Sequence, residues 1–158
     1  MKKTTEIQRL YRLYKEETNQ LNVEMADFAT WLTRKGYPLP TPPDPLELLA
    51  KRCVEALREE TRKDKTTGLP YKVNLSFSPG GTGQGTLWAD IDEADRKIAK
   101  KCLTERRENT VGDVYQMVLI QDHWNSIHPE EEPIEMPLDF QPDVEWKKNG
   151  GDAGEAAA

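Results

Sequence analysis

Two aspartates, Asp90 and Asp92, are the residues whose type and spacing best suit a chemical site. They stand one residue apart in the stretch TLWADID. Because successive side chains of a strand point to opposite faces of a sheet, both carboxylates would lie on one face. Two such carboxylates could bind a divalent cation through hard oxygen ligands. A metal-dependent nucleotidyl transferase or nuclease that uses this pair is therefore one hypothesis for the function.

The DID triplet that ends at Asp92 also resembles the first motif of archaeo-eukaryotic-type primases. Those enzymes carry a Ser-x-His motif and a later hydrophobic-Asp motif, and this chain has SIH at 126–128 and LD at 138–139. The resemblance implies two-metal nucleotidyl transfer. The interpretation that we favour is that Asp92 caps a following helix and that Asp90 is a solvated strand residue. We therefore expect no catalytic residue, no metal ligand and, on balance, no enzymatic activity.

A second candidate for chemistry is the glycine-rich segment from Pro79 to Gly85. Phosphate-binding loops of the familiar kinds run from a strand into the N-terminus of a helix. Here alternating apolar residues precede the glycines in YKVNLSF and follow them in TLWADID, which indicates a strand on both sides. We expect a β-hairpin over residues 71–92 with the glycines at its tip, and no bound cofactor.

The histidines and cysteines form no recognisable site. His123 and His128 are five residues apart, whereas two ligands on one helical face need a spacing of four. Cys53 and Cys102 lie among apolar residues at helical spacing, which predicts two reduced, buried thiols.

The formal net charge of −6 hides a division along the chain. Residues 1–128 hold 20 Lys and Arg against 19 Asp and Glu, a net charge of +1, whereas residues 129–158 hold 2 against 9, a net charge of −7. Phosphate contacts require long cationic side chains on one side of a protein. Acidic residues are interleaved with the basic ones, so a solvated, salt-bridged surface is the alternative. Two basic groups are the predicted nucleic-acid-binding residues: Arg58, Arg62, Lys63, Lys65 and Lys72, and Arg96, Lys97, Lys100, Lys101 and Arg107.

The hydrophobic periodicity predicts an α+β fold, a helix-rich single domain with one antiparallel β-hairpin. Three amphipathic helices come first: Thr5 and Gln8 have capping-box spacing for the first, and Asp44 caps the third. A fourth helix follows Asp92, and a fifth runs from Thr110 to about residue 127. Over the first 92 or so residues this order resembles a winged helix-turn-helix, which implies that helix three enters the major groove and the glycine-rich loop is the wing.

Beyond residue 128 the chain is rich in proline and in acidic residues. We expect residues 1–128 to form the compact domain, residues 129–148 an extended, proline-rich acidic arm, and residues 149–158 a disordered tail. Isolated apolar side chains on the arm are the predicted contacts to a protein partner: Ile134, Met136, Leu138, Phe140 and Trp146. The broad apolar stripe of the fifth helix fits either a buried central helix or a homodimer contact.

The sequence predicts a cytoplasmic protein without a membrane partner. The first residues lack the apolar core of a signal peptide, and no apolar run reaches the roughly 20 residues of a membrane span. A non-enzymatic cytosolic regulatory protein that contacts DNA is the first hypothesis. The alternative is an adaptor or inhibitor that uses the proline-rich segment 38–45 and the acidic arm to bind another protein.

Overall fold

The structure, a computed structural model that describes residues 2–80 and 85–151, is α+β as predicted. Five helices and four short strands occur in the described residues, and the strands form two separate antiparallel pairs. The chain divides into two compact units, residues 1–48 and 49–158. No helix among the described residues is long and apolar enough to cross a membrane. The elements are α1 Lys3–Thr18, α2 Met25–Arg34, α3 Pro45–Glu59, β1 Thr61–Lys63, β2 Pro70–Lys72, β3 Asn74–Phe77, β4 Leu87–Asp90, α4 Arg96–Ile127 and α5 Gln141–Lys148.

The first unit is held together by an aromatic core between α1 and α2. Tyr14, Phe28 and Leu32 are its buried side chains. The ring of Phe28 meets the rings of Tyr11 and Tyr14 at centroid distances of 5.3 and 5.4 Å, close enough for edge-on and tilted aromatic contacts. Burial of a side chain of this size stabilises the folded unit by roughly 2–3 kcal/mol.

The helix boundaries of the first unit confirm some sequence signals and correct another. Gly36, with a φ of +83°, stands two residues after Arg34, the last residue of α2, where a glycine commonly ends a helix. Asp44 stands before the first residue of α3, and its Oδ1 accepts a weak hydrogen bond of 3.4 Å from the N–H of Leu46. The Thr5 capping box is wrong, because α1 begins at Lys3 and has no side-chain cap.

In the second unit, one extended segment serves two hairpins. The predicted hairpin is confirmed between β3 and β4, with Leu75 opposite Ala89. The first half of the same segment, β2, pairs instead with β1, a strand that the sequence did not predict. Val73 separates the two halves and is fully buried; its N–H donates to Glu60 O at 3.3 Å, and its carbonyl accepts from Ile91 N at 2.9 Å. Residues 81–84 of the expected wing lie outside the described residues.

The fourth and fifth predicted helices are one helix, α4. Thr110 does not cap a new helix, because its hydroxyl donates to the carbonyl of Arg106 at 3.0 Å within continuous helix. The N-cap of α4 is Asp95, whose Oδ1 accepts from the N–H of Ile98 at 2.8 Å, so the prediction that Asp92 caps the helix is wrong. Asp95 has the required position three residues before an unpaired amide, whereas Asp92 lies outside the first turn.

After α4 the chain turns and is fixed to the helix by side-chain amides. Asn125 bonds both backbone groups of Ile134 at 2.9 Å, and Gln121 Oε1 accepts from the N–H of Met136 at 2.7 Å. The expectation of an arm without helix fails at residues 141–148, which form α5. Pro142 stands in the first turn of α5, where its missing N–H removes no intrahelical hydrogen bond.

The cysteines differ from each other in burial. Cys102 is buried, as predicted, and burial raises the pKa of its thiol. Cys53 is exposed, which contradicts the prediction of a buried thiol. Both are free thiols.

Candidate functional site

The junction between the two hairpins brings Arg62 to the two aspartates. β1 carries Arg62 and pairs with β2, and β4 ends at Asp90 and pairs with β3. Since β2 and β3 are consecutive parts of one segment, the outer strands meet at the position of Val73. The sequence indicated Arg62 as a nucleic-acid-binding residue and did not place it beside Asp90.

The resulting network consists of one guanidinium, one phenol and three carboxylates, of which that of Glu60 is the most distant, with Oε1 3.7 Å from Arg62 Nη2. Arg62 Nη2 lies 2.8 Å from Asp90 Oδ2, and Arg62 Nη1 lies 2.6 Å from Asp92 Oδ2. The hydroxyl of Tyr71 donates to the carboxylate of Asp92, with O···O distances of 2.9 and 3.0 Å. The backbone N–H of Asp92 donates to Asp90 Oδ1 at 2.8 Å. The network thus ties β1, β2 and the segment after β4 together.

Hydrogen bonding shifts the pKa values of Asp90, Arg62 and Tyr71, each in the direction that favours the protonation state in which the group makes its hydrogen bonds. The N–H of Asp92 lowers the pKa of Asp90, and Arg62 adds to that effect. Hydrogen bonds to Asp92 and Asp90 raise the pKa of Arg62 further above its usual range. The hydrogen bond to Asp92 also raises the pKa of the Tyr71 phenol. At neutral pH Asp90 is therefore a charged acceptor, and Tyr71 keeps the proton that it donates.

This geometry gives the metal hypothesis for Asp90 and Asp92 no support. The Arg62 guanidinium lies where a divalent cation would have to bind, and displacing it would cost both ion pairs. Within residues 2–80 and 85–151, no group of three or more His, Cys, Asp and Glu side chains is arranged to hold a metal ion. The pair acts as a structural clamp between the hairpins.

The first hairpin had a sequence signal of its own in the stretch DKTTG. Asp64 Oδ1 accepts from the N–H groups of Thr66 at 2.7 Å and Thr67 at 2.9 Å, and these bonds lower the pKa of Asp64. Gly68 completes the turn with a φ of +72°. An Asp that accepts from its own turn, followed by a Gly with positive φ, is a frequent hairpin connection.

A polar pocket of about 440 Å³ lies between the β3–β4 pair and α4. The half-buried indole of Trp88 lines it, and the guanidinium of Arg58 lies 5.8 Å from the centroid of that ring. Lys72 and Arg106 add two more cationic side chains to the lining. Lys72 Nζ also donates to the carbonyl of Glu59 at 3.4 Å. The pocket therefore combines an aromatic ring with three cationic side chains and the carboxylates of Glu105 and Asp113, which suits an aromatic ligand that carries both charged and polar groups.

The first three turns of α4 form a second cationic surface, which we call the cationic face. Arg96, Lys100 and Arg107 lie on one side of the helix with the exposed side chain of Leu103 between them. Residues 96–107 hold six Lys and Arg against one Glu, a net charge of +5. That one Glu, Glu105, is held by the N–H of Ser78 at 3.0 and 3.2 Å.

The cationic side chains at the start of α4 lie at the end of the helix where the helix dipole is positive. The side chains of Arg96, Lys97, Lys100 and Lys101 make no ion pair or hydrogen bond with any described residue, and the side chain of Arg107 pairs with its neighbour Glu108 at 3.2 Å. The first turn holds no acidic residue. Because the N-terminal end of a helix carries a partial positive charge, cations there reduce its stability. The helix dipole therefore does not favour Arg96 and Lys97, the cations of the first turn, whereas an anionic ligand would pair with them.

The ten predicted nucleic-acid-binding residues thus have different surroundings. Arg58 and Lys72 both line the polar pocket, and Arg62 forms ion pairs with Asp90 and Asp92. Lys63 lies on β1 and Lys65 in the turn after it, both exposed. The remaining five lie on α4: Arg96, Lys97, Lys100, Lys101 and Arg107.

The predicted partner-binding residues are partly exposed along the arm and α5. Their exposed fractions run from 37 % for Ile134 to 54 % for Leu138. The full set is Ile134, Met136, Leu138, Phe140 and Trp146.

Comparison of the chain with family models, curated proteins and solved structures finds no match.

Proposed function

We propose that this protein is a non-enzymatic regulatory protein that binds nucleic acid through the cationic face of α4. The observation that carries the proposal is the net charge of +5 over residues 96–107, in which the side chains of Arg96, Lys100 and their neighbours form no ion pair with a described residue. Phosphate oxygens would relieve this repulsion and would release counterions from the nucleic acid. The chain's overall charge of −6 makes this local surface, and not the protein as a whole, the contact.

The dimensions of the cationic face suit a nucleic-acid backbone. Arg96 and Arg107 are separated by eleven residues, which corresponds to about 16 Å along a helix. Three cations over that distance can contact successive phosphates of one strand. The exposed Leu103 offers an apolar contact to a sugar or base between them.

The polar pocket supports a contribution from the β3–β4 side as well. An aromatic ring flanked by cations is the combination on which unpaired bases stack. Trp88 with Arg58 and Lys72 provides such a combination in the same unit as α4. We therefore expect single-stranded nucleic acid to bind at least as tightly as duplex.

A winged-helix arrangement is a more detailed proposal about which elements of the protein would contact DNA. It would make α3 the helix that enters the major groove and the glycine-linked hairpin the wing. The charges on α3 balance, with three acidic and three basic residues, so phosphate contacts from α3 alone would be weak. A further hairpin, β1–β2, also stands between α3 and the proposed wing. For both reasons we assign the main contacts to α4.

A salt titration with matched variants tests the proposal. Binding of a fluorescently labelled single-stranded or duplex oligonucleotide should weaken with salt, and Arg96→Ala/Lys100→Ala/Arg107→Ala should reduce the slope of log affinity against log salt by about 2–3. The control removes three exposed arginines of the first unit, Arg9, Arg12 and Arg34, and so the same net charge. Absence of binding at low salt, or an equal loss in the control, would overturn the proposal.

A second candidate function is binding of another protein through the arm. The side-chain amides of Asn125 and Gln121 fix the arm to α4, while Met136, Leu138 and Phe140 remain about half exposed. Apolar side chains on a fixed, irregular segment suit a hydrophobic groove of a partner. Substitution of Leu138 and Phe140 by Ser should abolish capture of such a partner and leave oligonucleotide binding unchanged.

A further inference from the structure

The middle of α4 carries an apolar stripe that no described element of its unit covers. Val111, Tyr115 and Leu119 recur at every fourth residue and are 45 %, 59 % and 44 % exposed. At 100° per residue they occupy an arc of about 80° on the helix. Asn109, which lines the polar pocket, and Gln121, which holds the arm, lie roughly 120° away on either side of Tyr115. The stripe therefore lies between the two faces that the sheet and the arm occupy.

The second unit buries too little apolar surface for a folded domain of its size. Among its described residues, only Val73 and Cys102 are buried. Ordering the backbone costs roughly 1–2 kcal/mol per residue, and burial of apolar surface is the main term that offsets it. Contiguous exposed apolar surface of this kind marks an interface. The unit needs further burial, and the stripe is a regular apolar surface that can supply it.

We propose that a second copy of this chain covers the stripe, with the two α4 helices packed antiparallel about a twofold axis near Tyr115. In such a pair Val111 of one copy lies at the level of Leu119 of the other, so the stripe is its own complement. A twofold interface requires this self-complementarity. Leucine, valine and tyrosine at a spacing of three to four residues are typical of helix–helix packing.

The charge distribution favours the antiparallel arrangement. Residues 96–107 carry a net charge of +5, whereas residues 129–145 hold seven acidic residues and no Lys or Arg. With Tyr115 at the centre, Lys101 lies about 21 Å from Tyr115 along the helix axis, just beyond the level at which α4 of the other copy ends at Ile127, and Lys97 lies about one turn further out. Glu130, Glu131 and Glu132 stand at that level, where the chain turns after α4. A parallel pair would instead place the two cationic segments side by side.

The dimer leaves the cationic face accessible. Arg96, Lys100 and Arg107 lie about 60–100° around the helix from Tyr115, whereas Lys97 and Lys101 lie within about 40° of it. The first three flank the interface and the last two lie in it. Dimer formation and nucleic-acid binding therefore depend on different residues, and an experiment can contradict one without contradicting the other.

The molar mass of the full chain in solution tests the proposal. Sedimentation equilibrium should give twice the 18.1 kDa mass of one chain at micromolar concentration. Tyr115→Lys/Leu119→Lys should raise the dissociation constant of the dimer by at least about tenfold, because it removes the centre of the interface. The matched control is Ile120→Lys, which changes a residue that is 68 % exposed and lies about 140° around the helix from Tyr115. A monomeric wild-type chain, or equal weakening in the control, would overturn the proposal.

Neutralisation of the interface lysines tests the orientation. Lys97→Gln/Lys101→Gln should weaken an antiparallel dimer by removing attraction to the acids of the other copy, and the effect should diminish at high salt. A parallel dimer would become tighter instead, since repulsion is removed. Unchanged or tighter association would therefore overturn the antiparallel arrangement. Far-ultraviolet circular dichroism of each variant separates loss of association from loss of folding.

Discussion

Arg62 Nη2 lies 2.8 Å from Asp90 Oδ2, and this contact joins two hairpins that share one extended segment. The pair links the outer strands β1 and β4, which make no backbone ladder with each other. The side chain of Asp90 is 16 % exposed, so water screens this pair less than the Arg62–Asp92 pair, in which the Asp92 side chain is 44 % exposed. The clamp therefore substitutes for a continuous sheet at the position where the segment changes partners.

Removal of the clamp should destabilise the second unit. Arg62→Met leaves two carboxylates close together without their cation, so we expect a fall of several degrees in the melting temperature. Lys63→Met is the control, because it removes the same charge from the same strand and the side chain of Lys63 forms no ion pair with a described residue. Differential scanning calorimetry gives both values. Equal melting temperatures for the two variants would show that the clamp contributes nothing.

The pKa shift of Asp90 predicts loss of stability in acid. Its pKa in the folded state lies below the ordinary value of 3.8, so the charged form is favoured by folding. This contribution is fully present above the unfolded pKa and is lost as the pH falls from about 5 through the folded pKa. Melting temperatures measured between pH 7 and pH 3 should fall less steeply in Asp90→Asn than in the wild type. A residual slope remains in the variant, because the pKa of Asp64 is also lowered.

The raised pKa of Tyr71 predicts the opposite behaviour in alkali. Its folded-state pKa lies above the ordinary value of 10.0, so the protonated phenol contributes stability that is present below that pH and is lost as the pH rises through the folded pKa. The ultraviolet titration of the tyrosinates should show one phenol that ionises late in the wild type. In Tyr71→Phe that late step should be absent.

The contribution of the α4 N-cap to the free energy of unfolding should be measurable by itself. Asp95→Ala leaves the N–H of Ile98 without its acceptor and removes the one acidic group at a helix start that is otherwise cationic. We expect a loss of about 1 kcal/mol in the free energy of unfolding. Asp95→Asn keeps a capping oxygen and should recover most of it. Urea denaturation of the three proteins makes the comparison, and a full loss in the Asn variant would argue that charge alone matters.

The sequence by itself determined the regular elements whose signals are local. Alternation over residues 71–77 and 87–91 predicts the strands, and the proline and aspartate at the start of α3 predict its beginning, because these patterns depend on near neighbours. The sequence also determined the charge division and therefore the basic residues worth testing. It did not determine that one helix spans Arg96–Ile127. Thr110 is of a residue type that often caps a helix, and only its hydrogen bond to the carbonyl of Arg106 shows that the helix continues through it.

The tertiary structure alone decided what the chemically suggestive residues contact. Asp90 and Asp92 fit a metal site by spacing, but the partner that occupies them comes from a strand 28 and 30 residues earlier in the chain. Arg62 and Arg96 are equivalent as basic residues in the sequence, yet one is bound by carboxylates and the other lacks an acidic partner among the described residues. Pairing between distant segments depends on the partner that each strand selects, and local periodicity carries no information about that choice.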